Sequence, residues 1–314
     1  MSKRRDLRSR LCASSRLLAV VCALSANSAA LAHNTASFYF AAHEDDWQLF
    51  MTPNAARDVQ APATKVIFVY MTAGDAGAGK ERVAREHPYY LARENGARLS
   101  TTFIADGDAT PSAPFDTRAI VAGHTLTRWV YRNTVSYFLR LPDGNMQGTG
   151  YPDTGWQSLR RLHEEAIASI AAVDDSAVYT GWPDLAATLR ELIVRESDEA
   201  ATIWINIADI DGAENDGDHS DHLQTAQAAL DATATLPCIN RTLYVDYRAA
   251  GLSENLSASE RELKAGTFAA VSVGLTAFGH PSNWDPQHRA LLGRQYFRKI
   301  PATGACSGNA ERRN

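Results

Sequence analysis

Cysteine is scarce in this sequence, with four in 314 residues. Cys12 and Cys22 fall in an N-terminal stretch that we expect to be removed, which leaves Cys238 and Cys306. Neither stands at a spacing typical of a metal ligand, so the pattern excludes a thiolate metal site. In an oxidising compartment the two could form a disulfide, or both could stay as thiols, and these alternatives remain open.

Positive charge and long apolar runs are also lacking. The formal net charge is −5, which provides no basic surface for a polyanion and excludes nucleic acid as an expected partner. The longest apolar run near the N-terminus, residues 17–24, is far shorter than the roughly 20 residues of a membrane span. We find no internal repeat and no linker, so we expect residues 33–314 to form one domain.

The first 32 residues have the composition of a signal peptide. Basic residues, including Arg4, Arg5 and Arg8, precede the short apolar core, and Ala30-Leu31-Ala32 fits a cleavage site with small residues. We therefore expect a secreted or periplasmic protein. The alternative is a basic tail on a protein that stays in the cytosol.

Compact apolar runs alternate with stretches of helical pattern along the rest of the chain. This order predicts an α/β fold with a mostly parallel sheet that is covered on both faces. Residues 129–141 predict one strand or two short ones, and residues 142–155, rich in glycine and proline, predict a lid or rim. Other strands are expected at residues 37–42, 65–71, 201–207 and 241–247, and helices at residues 158–173, 182–194 and 257–270.

Two clusters of polar residues follow predicted strands. In the first, His43 and Asp46 are three apart and can face one ion, whereas Asp45 would point elsewhere and be free to act as a base. In the second, His219 and His222 lie one helical turn apart and can face one cavity. Ligand sites of open α/β sheets lie at the carboxyl ends of strands, so both clusters are expected at one edge. His43, Asp46 and His222 together would supply the three ligands of a catalytic zinc.

These two clusters resemble a known family. Ala42-His43-Glu44-Asp45-Asp46 and His219-Ser220-Asp221-His222 resemble the AHPDDE and HPDH motifs of the PIG-L (LmbE-like) zinc-dependent N-deacetylases. Residues 72–77 resemble the T-x-G-x-x-G turn of that family, and Arg93 lies in a region similar to its helical Arg-x-x-Glu. The chain departs from the motifs at Glu44 and Ser220, where proline is usual, and at Trp47, where glutamate is usual.

The resemblance implies a Rossmann-like three-layer sandwich with a mostly parallel central sheet and a metal-dependent deacetylase activity. Zn²⁺ would be bound by His43, Asp46 and His222, although such ligands also accept Fe²⁺ or cobalt. Asp45 would be the general base, His219 would stabilise the oxyanion, and Asp221 would orient and charge that imidazole.

The substrate follows from the resemblance alone. An N-acetylated sugar of the N-acetylglucosamine type, or a related small amide, would give acetate and a free amine. Arg93 would bind this substrate or pair with a neighbouring carboxylate on the helix surface. Three aromatic residues are available to stack on a sugar or to pack in the core or rim: Trp47, Tyr151 and Trp156.

Several competing interpretations use the same residues. Residues 74–80 match the G-x-x-x-x-G-K pattern of a phosphate-binding loop, but Glu81 stands where a hydroxyl should meet magnesium, so nucleotide binding is disfavoured. The first cluster could be a capped helix start without a metal. An exported carbohydrate-binding protein that keeps the fold without turnover is the main alternative function. We interpret the remaining histidines as structural or surface residues: His87, His124, His163, His280 and His288.

Overall fold

Strands and helices alternate along residues 33–78, 87–197 and 200–303, which the computed structural model describes. The strands are β1 (Thr35–Ala41), β2 (Thr64–Thr72), β3 (Phe115–Val121), β4 (His124–Tyr131), β5 (Thr134–Leu141), β6 (Ser169–Ala171), β7 (Val178–Thr180), β8 (Thr202–Ala208), β9 (Ile239–Val245) and β10 (Tyr296–Ile300). The α-helices are α1 (Asn54–Gln60), α2 (Tyr89–Asp106), α3 (Leu159–His163), α4 (Gly181–Glu196), α5 (Ser220–Thr233), α6 (Ala258–Ala277) and α7 (Pro286–Arg289).

One eight-stranded sheet forms the centre, in the order β10-β9-β8-β1-β2-β5-β4-β3. The neighbours from β9 through β8, β1 and β2 to β5 pair in parallel, whereas β3, β4 and β10 are antiparallel additions at the two sides. The expected α/β fold with a mostly parallel sheet is confirmed. After β1 the chain moves to β2 and β5 on one side and returns later to β8 on the other. The carboxyl ends of β1 and β8 are therefore a topological switch point, where α/β proteins bind ligands.

Helices cover both faces of this sheet because successive side chains of its central strands are apolar on both sides. On β1, Phe38 and Phe40 belong to one core cluster, while Tyr39 and Ala41 belong to the other. Apolar residues of α3, α4 and α5 complete the first cluster, and those of α1, α2 and α6 complete the second. The alternation along β1 thus produces three layers, since neighbouring side chains of a strand point to opposite faces.

Helices α2 and α6 make backbone contact at two glycines. A Cβ atom on Gly274 would lie 2.4 Å from the Cα atom of Gly96, and one on Gly96 would lie 2.8 Å from the carbonyl oxygen of Val271. The side chain of Asn95 donates to the carbonyl oxygen of Gly274 at 3.0 Å across the same contact. Only hydrogen can occupy the Cβ positions here, so glycine is required for this packing.

One predicted element differs from the structure. The helix expected at residues 158–173 is wrong beyond His163, because Glu165 adopts a positive φ of 57° and the chain continues into the hairpin of β6 and β7. Ile170, in strand β6, is nevertheless fully buried. For residues 129–141 the alternative of two strands is confirmed, since the segment is divided between β4 and β5 with a turn at Arg132 and Asn133.

Some expectations concern residues outside the described ranges. The expected signal peptide, residues 1–32, lies there, and so does Cys306. Cys238 is disulfide-bonded. Among the residues that the structure describes, none of the helices has the length and apolar content of a membrane span.

The glycine contact generates a stability prediction. Replacing Gly274 with Ala should lower the free energy of unfolding by about 1–3 kcal/mol, because the added methyl group forces α2 and α6 apart. Helix propensity alone would favour alanine by roughly 1 kcal/mol. A decrease in the free energy of unfolding would therefore show that the steric clash outweighs the helix propensity. Urea denaturation measures it. Gly251→Ala is the control, since nothing lies within 4 Å of its Cβ position; an unchanged midpoint in Gly274→Ala would contradict the prediction.

Candidate metal centre

The first polar cluster lies directly after β1, in the segment that leads into a π-helix at Trp47–Met51. Within it, the backbone N–H of His43 donates to Oδ2 of Asp46 at 2.8 Å. This bond anchors the carboxylate and leaves its other oxygen directed at the histidine rings. The second cluster follows β8 and begins α5, where His219 is the N-cap and Asp221 and His222 lie in the first turn.

Three donor atoms from these two clusters meet below the protein surface. Nε2 of His222 lies 3.3 Å from Nδ1 of His43 and 3.3 Å from Oδ1 of Asp46, and the third separation, from His43 Nδ1 to Asp46 Oδ1, is 3.5 Å. Ligand atoms at 2.0–2.1 Å from a tetrahedral zinc lie about 3.3 Å from one another. His43, Asp46 and His222 therefore form a cluster that could hold a metal ion.

The orientation of His222 supports this arrangement. Its Nδ1 atom lies 3.0 Å from Oδ1 of Asp218 and 3.1 Å from Oδ2 of Asp246. These carboxylates hold the ring proton on Nδ1, so Nε2 presents a lone pair to the cluster. Asn215 in turn fixes both carboxylate residues: its Nδ2 donates to Asp218 at 2.9 Å, and its Oδ1 accepts from the backbone N–H of Asp246 at 3.0 Å.

The charges of this group oppose one another across the cluster. Burial alone would lower the pKa of His222, but the nearby Asp46 and Asp218 raise it well above the usual value. Burial likewise acts to lower the pKa of His43, but Asp46 and Asp221 outweigh this effect and raise the pKa well above its usual value. The two imidazoles hold the pKa of Asp46 well below its usual range, although its burial acts in the opposite direction. Burial and the neighbouring Asp218 raise the pKa of Asp246 to about 8.

The opposite nitrogen of His43 faces two further carboxylates. Nε2 lies 3.5 Å from Oδ2 of Asp221 and 3.9 Å from Oδ2 of Asp143, and it makes no hydrogen bond of good geometry. Oδ2 of Asp221 accepts the backbone N–H of Gly144 at 2.8 Å, while its buried Oδ1 has no hydrogen-bond partner. Asp221 thus helps to orient a candidate ligand.

The expected pairing of Asp221 with His219 differs in detail. The Asp221 carboxylate lies 4.0 Å from Nδ1 of His219, and that nitrogen instead accepts the backbone N–H of Asp221 at 3.1 Å. Burial and the neighbouring His43 and His222 lower the pKa of His219 to about 3. This favours the neutral imidazole, and because Nδ1 accepts a hydrogen bond its proton is on Nε2. The expected role of Asp221 toward His219 stays a prediction.

Asp45 lies next to the cluster and does not join it. Two donors hold its carboxylate: Oδ1 accepts from Nη2 of Arg93 at 2.5 Å and Oδ2 accepts from Nδ2 of Asn283 at 2.9 Å, and its role as a base stays a prediction. Nε of Arg93 also donates to Glu44 at 3.0 Å. Arg93 thus pairs with two buried carboxylates of the first cluster and not with a neighbour on the helix surface, and its contact with a substrate stays a prediction.

The loops beside the cluster carry the remaining predicted residues. Gly74 packs against the Arg93–Glu44 pair, since its Cβ would lie 2.5 Å from Oε2 of Glu44. Trp47 is not a platform for a sugar: it is fully buried, stacks on Phe68 and donates to Tyr70 at 2.8 Å. Trp156 is 49% exposed and Tyr151 is half-buried. Gly79, Lys80 and Glu81 lie outside the described residues.

The five histidines interpreted above as structural or surface residues have partners away from the candidate ligands. His87 stacks on Phe278, and His280 contacts the carbonyl oxygen of His87. His124 contacts Asp184, His163 contacts Gln224, and His288 contacts Asp285. None belongs to a potential metal-binding group among the described residues.

Sequence analysis missed Asn215 and Asp218, which lie behind His222, and three further residues of this site. Asp246 directly follows the buried strand β9, and a search for acidic residues at strand ends could have found it. Asp143 and Asn283 lie singly in irregular segments, at residues 142–151 and 279–285, where no pattern separates them from other loop residues.

The fold and the cluster define an α/β protein with a candidate metal centre at the switch point of its sheet. No family model matches the chain, and no curated protein matches it. Two solved structures of a deacetylase are similar to it. The zinc-inhibited form of teicoplanin deacetylase Orf2 is 14% identical, with a TM-score of 0.41, over 76% of this chain and 83% of that chain. A deacetylase–teicoplanin complex from teicoplanin biosynthesis is 15% identical, with a TM-score of 0.41, over 76% and 86%. At this level the likeness carries no functional argument.

The support behind His222 generates a prediction about affinity. Replacing Asp246 with Ala should weaken zinc binding by about 10- to 100-fold, because the ring loses one of the carboxylates that hold its Nδ1 proton. Competition with a chromophoric chelator measures this change. Asp106→Ala is the control, since Asp106 binds Tyr131 and Arg132 away from the cluster. Equal affinities for Asp246→Ala and the parent would contradict the prediction.

The charge balance generates a prediction about pH. Neighbouring carboxylates raise the pKa values of His43 and His222, so the metal-free cluster holds a proton at neutral pH that an entering cation must displace. Zinc affinity should therefore increase with pH, by about tenfold per pH unit for each proton displaced. Calorimetry in buffers of different ionisation enthalpy measures the released protons, and binding that releases none would show that the cluster is already deprotonated.

Proposed function

We propose that this protein is a zinc-dependent N-deacetylase that hydrolyses the amide of an N-acetylated sugar or a related small amide. The observation that carries the proposal is the spacing of the donor atoms of His43, Asp46 and His222, at 3.3–3.5 Å from one another. Two nitrogens and one carboxylate oxygen leave a fourth position open, as in zinc hydrolases. Iron or cobalt would fit the same donors.

The residues beside the ligands suit amide hydrolysis. A zinc ion in this cluster would lower the pKa of a water molecule and polarise the amide carbonyl. Asp45, adjacent in sequence to ligand Asp46 but outside the ligand group, takes a proton from the water and returns it to the departing amine. Its two fixed hydrogen bonds hold the carboxylate in one orientation for both transfers.

His219 serves the substrate oxygen in this scheme. Because Nδ1 accepts a backbone N–H, the proton of the neutral ring is on Nε2, which can donate to the negative charge that develops on the amide oxygen. Asp221 acts on His43 through its carboxylate and on His219 through its backbone.

The resemblance to PIG-L deacetylases supports a sugar substrate. The exposed ring of Trp156 and the half-buried Tyr151 offer aromatic surfaces in the segment that contributes Asp143 and Gly144 to the site. The signal-peptide pattern of residues 1–32 supports secretion or export to the periplasm, and hence a substrate outside the cytosol.

Two variants separate metal binding from catalysis. Asp45→Asn should reduce kcat by about 10²- to 10⁴-fold and keep its zinc, because it removes the general base and no ligand. His222→Ala should lose both zinc and activity. The measurements are elemental analysis of the purified protein and amine release from N-acetylglucosamine and its oligomers, with Asp106→Asn as control.

The outcomes distinguish the competing functions. Zinc in the parent but no amine release from any N-acetylated sugar or small amide would favour the carbohydrate-binding protein. If the parent holds no metal even after zinc is supplied in excess, the hydrolase proposal is wrong.

A further inference from the structure

The carboxylate of Asp45 is held from two directions by residues outside both sequence motifs. On one side Nη2 of Arg93, from α2, donates to Oδ1 at 2.5 Å. On the other side Nδ2 of Asn283, from the segment between α6 and α7, donates to Oδ2 at 2.9 Å. Each oxygen therefore has its own donor, and the two donors come from separate parts of the chain.

The amide of Asn283 is held in place by Ser272. Oγ of Ser272, in α6, donates to Oδ1 of Asn283 at 2.7 Å. With its carbonyl oxygen held by this hydroxyl, the amide presents its NH₂ group to Asp45. The reversed amide could still donate to Oγ of Ser272, but it would place Oδ1 against an ionised carboxylate and lose the hydrogen bond to Asp45, so electrostatics select the observed orientation.

Both supports depend on one helix pair. Arg93 precedes Asn95 and Gly96 in α2, and Ser272 precedes Gly274 in α6. The donor Arg93 and the residue that holds the donor Asn283 therefore both lie next to the backbone contact of the two helices. The side chain of Asn95 ties the two helices at 3.0 Å. Glu44 adds a further restraint, because it binds Nε of Arg93 and keeps the guanidinium turned toward Asp45.

We propose that Asn283, oriented by Ser272, is a positioning residue for the Asp45 carboxylate. A carboxylate held at one oxygen can still rotate about its Cβ–Cγ bond, because terminal torsions of this kind are broad. A second donor on the other oxygen removes that freedom and directs the remaining lone pairs to one place. The consequence for catalysis rests on the proposed function, in which Asp45 is the base; the positioning itself does not.

The kinetic test compares Asn283→Ala with the parent. Replacing a residue that hydrogen-bonds an active-site group typically lowers activity by about 10- to 100-fold. We therefore expect kcat to decrease by that factor, with KM and zinc content unchanged. Ser272→Ala should reduce kcat in the same direction but less, because the amide stays and loses only its orientation. Ser272→Thr keeps the hydroxyl and should restore the rate.

Two controls exclude a general loss of stability. Asn255→Ala removes an asparagine whose amide binds the backbone of Gln295 on both sides, and Thr276→Ala removes a hydroxyl of α6 that binds only carbonyl oxygens of its own helix. Both should keep the parental kcat. If Asn283→Ala loses zinc, or changes KM as much as kcat, the positioning role is wrong.

A crystal structure of Asn283→Ala decides the proposal without an assay. The Asp45 carboxylate should rotate or become disordered relative to the parent crystal structure, with His43, Asp46 and His222 unmoved. A parental orientation of Asp45 in the variant would overturn the proposal, whatever its activity. A parent that hydrolyses no amide would instead refute the proposed function, and the crystallographic comparison would still decide whether Asn283 positions Asp45.

Discussion

The free-energy cost of burying ionisable groups together is the constraint on which this structure depends. His43, Asp46 and His222 are each at most 6% exposed, and Asp218, Asp221 and Asp246 lie behind them with little or no exposure. Such groups are tolerated away from water only where partners compensate their charges. Hydrogen bonds satisfy much of the group, but Nε2 of His43 and single oxygens of Asp221 and Asp246 have none. A cation at the centre of the cluster would offset the excess of carboxylates.

The parallel sheet determines where these buried ionisable groups come together. β1 and β8 are adjacent and parallel, so the segments that follow them leave the sheet at the same edge. Candidate ligands separated by 179 residues in the chain thereby come within 3.3 Å of each other. His219 contributes to this geometry, because its side chain caps α5 and fixes the first turn that carries His222.

The hydrogen bonds that hold Asp45 and the packing of the core are joined through α2 and α6. The close approach of Gly96 and Gly274 brings the helices together, and each helix supplies part of the support of Asp45. The departures from the family motif fit this arrangement. Glu44, at a position where proline is usual, binds Arg93, and Trp47, at a position where glutamate is usual, is a core residue that binds Tyr70.

Local patterns were sufficient for the strands of the parallel sheet, for most of the long helices and for the grouping of His43 and Asp46 with His222. These features have short-range signatures: apolar runs, helical spacing and polar residues at strand ends. Packing decided the remainder. Residues 164–173 carry apolar residues that suit a helix or a strand, and a left-handed residue at Glu165 selects the hairpin. Asp143, Asp246 and Asn283 acquire their roles only through neighbours far away in the chain, because a single polar residue in a loop has no partner until the tertiary structure provides one.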